Sequence, residues 1–201
     1  VFSASKPGPL PEPDDKLALA ALMVRVAKSD HHYDLAEIKR IDRLLARIYG
    51  LGPVEAAKMR ALSERIEHAA PDTDRFGHII RETVSKAAIQ QGSDFAADVD
   101  GAPDLKDFHE ILPLWTKDGA LEIELLDASA DTLNFNVKRC RYSEMYREMG
   151  VGEIGDLLSC QRDGDFCIGY NPDIEFTRTQ TIMGGASHCD FRYKLKGTTK
   201  P

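Results

Sequence analysis

Four residue types in the C-terminal third of the sequence could do chemistry: thiols, guanidiniums, one imidazole and several carboxylates. The thiols are Cys140, Cys160, Cys167 and Cys189. No C-x-x-C pair occurs among them, so the close spacing that draws a structural zinc is missing. A nucleophilic thiol needs a lowered pKa, which a neighbouring arginine or histidine can supply. A cysteine with no such task is a small apolar filler. Nucleophile, metal ligand and filler all stay open for each of them. His188 has the one ordinary pKa near neutrality in this segment, which suits an acid or base. A plain turn residue is its other reading, and Asp163 and Asp190 are alternatives for the proton work.

The guanidiniums raise a question of placement. The stretch "TRTQTIMGGASHCDFRYKLK", Thr177 to Lys196, alternates like a strand, breaks at Gly184-Gly185, and alternates again. Successive strand side chains take opposite faces. Ile174, Phe176, Arg178, Gln180 and Ile182 are therefore expected on one face, and Cys189 with Phe191, Tyr193 and Leu195. In an earlier strand Leu133, Phe135 and Val137 lead on to Arg139, expected on the core side as well. An unpaired guanidinium inside a sheet layer is costly, so it needs a partner or a wet cavity. Arginine grips a carboxylate through a planar two-pronged contact that lysine cannot copy. Arg139 and Arg178 are thus candidates to hold the carboxylate of a small anionic substrate, with Gln180 beside them and Arg141 a weaker candidate. Internal pairing with Glu144, Asp163 or Asp165 is the competing reading.

The elements that must carry these residues follow from periodicity. Residues 1–13 are Pro-rich and polar, a flexible leader without the apolar stretch of a signal peptide. "LALAALMVRVA" is apolar nearly all round, as in a helix buried within a bundle. Leu35, Ile38, Ile41, Leu45 and Ile48 recur at helical spacing until Gly50 and Gly52, and Pro53 opens the next helix. Phe76, Ile79, Ile80, Val84, Ala87, Ala88 and Phe95 mark a fourth helix, with Asp or Thr of "PDTDRF" as its cap. "DLKDFHEIL" marks a fifth that should end or kink at Pro113. After Gly119 the period changes to 2: Leu121, Ile123 and Leu125, then Leu133, Phe135 and Val137. A short helix, "YSEMYREMG", and a mixed segment from Gly152 to Pro172 precede the closing hairpin. Helices first and then a mainly antiparallel four-stranded sheet is the α+β pattern.

Bulk properties narrow the function. A net charge of −7 argues against nucleic acid, whose phosphates need a basic face. No apolar run approaches the length of a membrane span. Reduced thiols and a cytoplasmic protein are the expectation, since the cysteines form no disulfide framework. No cofactor is required, with zinc or manganese left open as a metal for the thiols, and the composition leaves a homo-oligomer open. No Ser-His-Asp elbow, phosphate loop or dinucleotide glycine pattern occurs.

Two resemblances sharpen this reading. The stretch "LALAALMVRVAKSDHHYDLAEIKRIDRLLARIYGLGPVEAAKMRAL" resembles one half of a tellurite-resistance TerB-like domain, over residues 14–75. That resemblance implies an all-helical, stress-response module with an acidic turn, here Asp30, Asp34 and Glu37. The turn fails the EF-hand spacing, which wants oxygen ligands at positions 3 and 12 where His32 and Ile41 stand. Asp34 as a helix cap is the plainer reading, and His31 and His32 read as exposed.

From roughly Asp104 to Lys196, within an α+β domain expected over residues 76–201, "LPLWTKDGALEIELLD", "FNVKRCRYSEMYREMG", "LLSCQRD", "YNPDIEFTRTQTIM" and "GASHCDFRY" resemble the L-2-amino-thiazoline-4-carboxylic acid hydrolase family. The resemblance implies hydrolytic opening of a small cyclic amidine carboxylate, toward carbamoyl-cysteine and cysteine. Cys160, His188, Cys189 and Asp163 would be its catalytic candidates, with Cys160 or an activated water attacking. The alternative is a non-enzymatic sensor of small anions. The segment "CQRDGDFCIGYNP" departs from the family pattern by Gly164 and Cys167, which bears on the pocket wall.

Overall fold

A computed structural model describes residues 9–29, 33–70 and 74–197. The first eight residues of the leader, the turn residues Asp30, His31 and His32, and the helix cap sought at 71–73 lie outside the described residues. The chain forms two compact units, Val1–Ile80 and Arg81–Pro201, divided inside one helix.

The first unit is helical. Helix α1 (Asp15–Ala27) is capped by Asp14, whose carboxylate accepts the Leu17 N–H at 2.9 Å. It buries Ala20, Ala21, Leu22, Met23 and Val24 in succession, as an all-round apolar helix must. Helix α2 (Leu35–Tyr49) starts at Asp34, which takes the N–H groups of Ala36 and Glu37 while Glu37 reaches back to the Asp34 N–H. Asp34 and Glu37 therefore build a capping box, the reciprocal pairing that satisfies two orphan donors at once. Gly50 ends α2 at φ 63°, a left-handed conformation that costs glycine little. Pro53 then opens α3 (Pro53–Ala69). Buried Glu67 on α3 is matched by Arg25 of α1 at 2.8 Å and by Lys28, the residue that caps the end of α1, at 2.6 Å.

The second unit carries the sheet. Helix α4 (Asp74–Ala97) enters it after Ile80, followed by α5 (Leu105–Thr116), β1 (Leu121–Ala128) and β2 (Thr132–Cys140). Helix α6 (Arg141–Glu148), a π-helical turn at Asp156–Cys160 and α7 (Arg162–Tyr170) precede β3 (Ile174–Thr177) and β4 (Cys189–Leu195). The four strands are antiparallel in the order β1-β2-β4-β3. This is an α+β protein.

Leu133, Phe135 and Val137 of β2 lie beside Tyr193, Phe191 and Cys189 of β4, all buried on one face. Leu105, Phe108 and Leu112 of α5 and Phe166 and Tyr170 of α7 complete that core. Phe108 stacks on Phe166 at 5.5 Å and meets Tyr193 edge-on at 5.0 Å. Helices α4 and α7 touch backbone to backbone. A Cβ on Gly169 would lie 1.8 Å from the Ile89 carbonyl oxygen, and one on Gly92 would lie 2.1 Å from that of Phe166. These two glycines set the height of α7 over the sheet, and α7 carries Arg162, Asp163 and Phe166.

Three local features differ from the periodicity. Helix α5 runs past Pro113 to Thr116, because only one turn remains and the Thr116 hydroxyl serves the Leu112 and Pro113 carbonyls. Strand β3 stops at Thr177, short of Arg178 and Gln180. The Asp190 carboxylate takes the Thr179 and Gln180 N–H groups at 2.9 and 2.8 Å, bonds that a strand would otherwise make to its neighbour. Between β1 and β2 the register steps from Glu122 opposite Arg139 to Ile123 opposite Val137. Lys138 is the extra residue of a β-bulge, which interrupts alternation and turns Arg139 outward.

Candidate functional site

Where the ends of β1, β2 and β4 meet α7, the second unit encloses a cavity of about 260 Å³. Three of the four thiols line it: Cys140 from the end of β2, Cys160 from the π-helical turn and Cys189 from the start of β4. A π-helical turn is uncommon and is often found at functional sites; here it ends at Cys160. Asp163 on α7 and Arg178 just after β3 supply a carboxylate and a guanidinium to the same space. Cys160, Asp163, Arg178 and Cys189, four of the residues singled out from the sequence, thus converge.

Arg178 is held rigidly. Its Nη1 donates to Asp163 Oδ2 at 2.5 Å and its Nη2 to the Cys160 carbonyl at 2.8 Å. The guanidinium carbon lies 5.1 Å from the centre of the Phe191 ring and 5.5 Å from that of Phe176, a cation on an aromatic platform. Only 11% of the Arg178 side chain and 21% of that of Asp163 is exposed. Burial pushes the Asp163 carboxyl up to about 6, and the Arg178 charge limits the rise. Arg178 moves upward too, since the Asp163 charge and hydrogen bond outweigh its own desolvation. Arg178 therefore keeps its charge, while burial makes the Asp163 carboxylate easier to protonate than it is in water.

The thiols are less activated than a nucleophile requires. Burial pushes Cys160 up to about 12, with Arg178 pulling the other way. Burial also raises Cys189, against the Ile182 N–H that approaches its Sγ at 3.2 Å. Cys140 is raised by burial and opposed by the N–H groups of Ser143 and Tyr142 at the start of α6. Cys167 faces the aromatic core, where its Sγ donates to the Asp163 carbonyl at 3.6 Å. The four cysteines are free thiols. Among the described residues no group of three His, Cys, Asp or Glu side chains is arranged to hold a metal ion.

Four other candidates stand elsewhere. Arg139, expected on the core side, is turned out by the bulge at Lys138 and pairs with Glu144 and Glu122 at the surface. Arg141, the first residue of α6, donates to the Asp118 carbonyl at 3.0 Å on the rim of a separate groove. Gln180 and His188 bind one another: Gln180 Nε2 donates to the His188 carbonyl at 3.0 Å and lies 3.1 Å from its ring nitrogens. Neither lines the cavity, because Asp190 draws the chain out of the strand before Gln180 is reached. Hydrogen bonds from Thr179 and Gln180 outweigh partial burial and hold Asp190 below the usual carboxylate range, so it stays ionised.

Other lining residues were not singled out in the sequence. Arg162 donates to Gln91 from α4, and both face the cavity. The helical offset of α7 contained a signal for Arg162: it adjoins Asp163 and precedes Phe166 by four. Trp115 and Leu114 from α5 and Tyr142 from α6 reach in from elements called for packing alone. Arg162, Asp163 and Arg178 are the charged side chains of the lining, so the cavity has an excess of positive charge.

Residues 53–193 match the family model described as L-2-amino-thiazoline-4-carboxylic acid hydrolase. The chain belongs to that family. The matched span, well over half of the 201 residues, begins at the first residue of α3 and contains every residue that lines the cavity. A comparison with curated proteins found no significant match. The family assignment agrees with the α+β fold, and no helix among the described residues is long and apolar enough to cross a membrane.

Proposed function

We propose that this member of the hydrolase family opens a small cyclic amidine carboxylate of the 2-aminothiazoline-4-carboxylate type, toward carbamoyl-cysteine. One observation carries the reading: the Asp163 carboxyl, raised by burial to about 6, is tethered by Arg178 at the wall of a positively charged cavity. A general base works best with a pKa near the working pH.

In this mechanism the substrate carboxylate lies against Arg178 and Arg162. Asp163 takes a proton from a water whose oxygen bonds to the amidine carbon. The carbon–nitrogen bond of the ring then breaks as the ring nitrogen is protonated, Asp163 returning its proton. Both water hydrogens end on the former ring nitrogen, which becomes a primary amine, and the carbon becomes a carbonyl. Attack by water is favoured over attack by Cys160, because a thiol at about 12 is almost wholly protonated at neutral pH. Helices α1 and α2 precede the family match and are read as TerB-like on sequence resemblance, whereas α3, within residues 53–193, belongs with the hydrolase-family span.

The test is incubation with 2-aminothiazoline-4-carboxylate, followed by mass spectrometry for the gain of one water. The Asp163→Asn variant should lose about a hundredfold or more in turnover. Native rates in that variant would remove Asp163 from the mechanism, and native rates in Cys160→Ser would support water as the nucleophile. A second reading, binding of a small anion without turnover, is favoured by the protonated thiols. Calorimetric binding with no gain of water would select it.

A further inference from the structure

The cavity wall is more apolar than an aminothiazoline carboxylate needs. Phe95, Trp115, Leu121, Phe166 and Phe191 make up much of its lining, and Phe191 also carries the Arg178 guanidinium 5.1 Å from its ring centre. A five-membered ring bearing an amine and a carboxylate is polar around most of its edge and would leave that wall uncovered. The volume, about 260 Å³, equals about nine waters at liquid density. Apolar surface with space beside it is stabilised by an apolar occupant.

A second observation concerns the mouth. Leu114 and Tyr142, from the end of α5 and the start of α6, both line the cavity and are 56% and 43% exposed. The same two residues line an outer groove whose floor includes Met145 and whose rim includes Lys117 and Arg141. Inner cavity and outer groove therefore share an apolar threshold. Large apolar side chains left in water at the mouth of a charged cavity are suited to cover part of a ligand that extends outward.

We propose that the substrate of this site is an amphipathic carboxylate: a small anionic head, the part that reacts, joined to an aryl or branched-alkyl substituent that passes between Leu114 and Tyr142. The inference rests on the hydrolase reading for the chemistry at the head, and the binding part of it stands separately. The substituent covers the aromatic wall, and its outer end reaches the groove. Arg178, only 11% exposed, anchors the head at the wall it shares with Asp163, and Arg162, exposed at the same lining, adds a second positive charge.

Trp115 is the only tryptophan of the chain and lines the cavity, so its fluorescence reports occupancy directly. The full-length protein is titrated with 4-phenylbutyrate, with acetate and with 4-phenylbutyramide. The aryl carboxylate should bind about tenfold or more tightly than either control, since one control lacks the ring and the other the charge. Tyr142→Ser and Leu114→Ser, both at exposed positions, should weaken 4-phenylbutyrate severalfold and leave acetate unchanged. Equal affinity for all three probes, or surface variants without effect on the aryl anion, would overturn the proposal.

Turnover separates this inference from the reading beneath it. Hydrolysis of 2-aminothiazoline-4-carboxylate should gain about tenfold in kcat/KM when a 5-phenyl substituent is added. Equal or better hydrolysis of the unsubstituted ring would sink the substituent and leave the hydrolase. Tighter binding of 4-phenylbutyrate with no turnover of either ring would sink the hydrolase and leave the amphipathic site.

Discussion

Two arginines, Arg178 just after the edge strand β3 and Arg139 on β2 beside the edge strand β1, each hold a carboxylate, and the carboxylates respond in opposite directions. At the β3 edge, Arg178 and Asp163 are nearly covered, and burial drives the acid up to about 6. At the β1 edge, Arg139 grips Glu144 with two prongs at 2.7 and 3.0 Å, yet half of its side chain is exposed. There the hydrogen bonds from Arg139 hold Glu144 below its ordinary range. The same pair of functional groups thus has a carboxyl raised by burial in one place and a surface ion pair with a lowered carboxyl in the other. Water decides which: the covered pair has lost its solvent and the exposed one has kept it.

The largest effect should come from removing the arginine of the covered pair. Arg178→Met leaves Asp163 inside the protein without its counter-charge, at a cost of about 3–5 kcal/mol. The acid can escape by holding its proton, so urea unfolding should show a greater loss at pH 8 than at pH 5. A loss independent of pH would mean that the arginine contributes packing on Phe191 and Phe176 rather than charge.

Asp163→Asn tests the acid itself, on turnover and on stability. Turnover by the native protein should rise with pH through about 6, as Asp163 loses its proton and becomes a base. In the variant that limb should vanish. Stability should follow the opposite course. Between the ordinary value of 3.8 and about 6 the folded protein holds a proton that the unfolded chain has released. The contribution of Asp163 to stability therefore falls as pH rises across that window. Urea midpoints measured at pH 4, 5 and 6 should lose this component in Asp163→Asn, and an unchanged pH profile would contradict the burial of the carboxylate.

Why one edge was readable in the sequence and the other was not follows from the same comparison. The order of helices and strands, the caps at Asp34 and Gly50, and the inward set Leu133, Phe135 and Val137 all come from local periodicity. Arg178 was marked by strand alternation and Asp163 as an acid that could pair with it, while Cys160 and Cys189 stood out because their stretches resemble the family. Arg139 failed because one inserted residue, Lys138, reverses facing without altering composition. Gln180 and His188 failed because a carboxylate ten residues from Gln180, Asp190, replaces the strand ladder with side-chain bonds. Arg162 meets Gln91 of α4 across the crossing at Gly92 and Gly169, and Trp115 and Tyr142 come in from α5 and α6, tertiary contacts with no periodic signature.

That crossing offers an intermediate prediction. Gly169→Ala would drive a methyl group into the Ile89 carbonyl, so α7 must shift away from α4. Overpacking of this kind costs about 1–3 kcal/mol. Because α7 carries Asp163 and Arg162, the shift should also lower turnover, whereas Gly77→Ala, whose Cβ would meet nothing within 4 Å, should leave both stability and turnover in place.

The smallest effect belongs to the exposed pair. Arg139→Gln removes the charge that Glu144 and Glu122 face, but water solvates both acids as soon as the arginine is gone. Exposed ion pairs of this geometry contribute little to stability even when bidentate. The urea midpoint and the turnover of Arg139→Gln should match those of the native protein. Acidification separates this from a hidden structural role: because Glu144 is held low by Arg139, any stability from the pair is present above the ordinary carboxylate range and disappears as the pH falls through it. A variant that lost activity at neutral pH would show that the bulge at Lys138 transmits strain to Cys140, the next residue, and through it to the cavity.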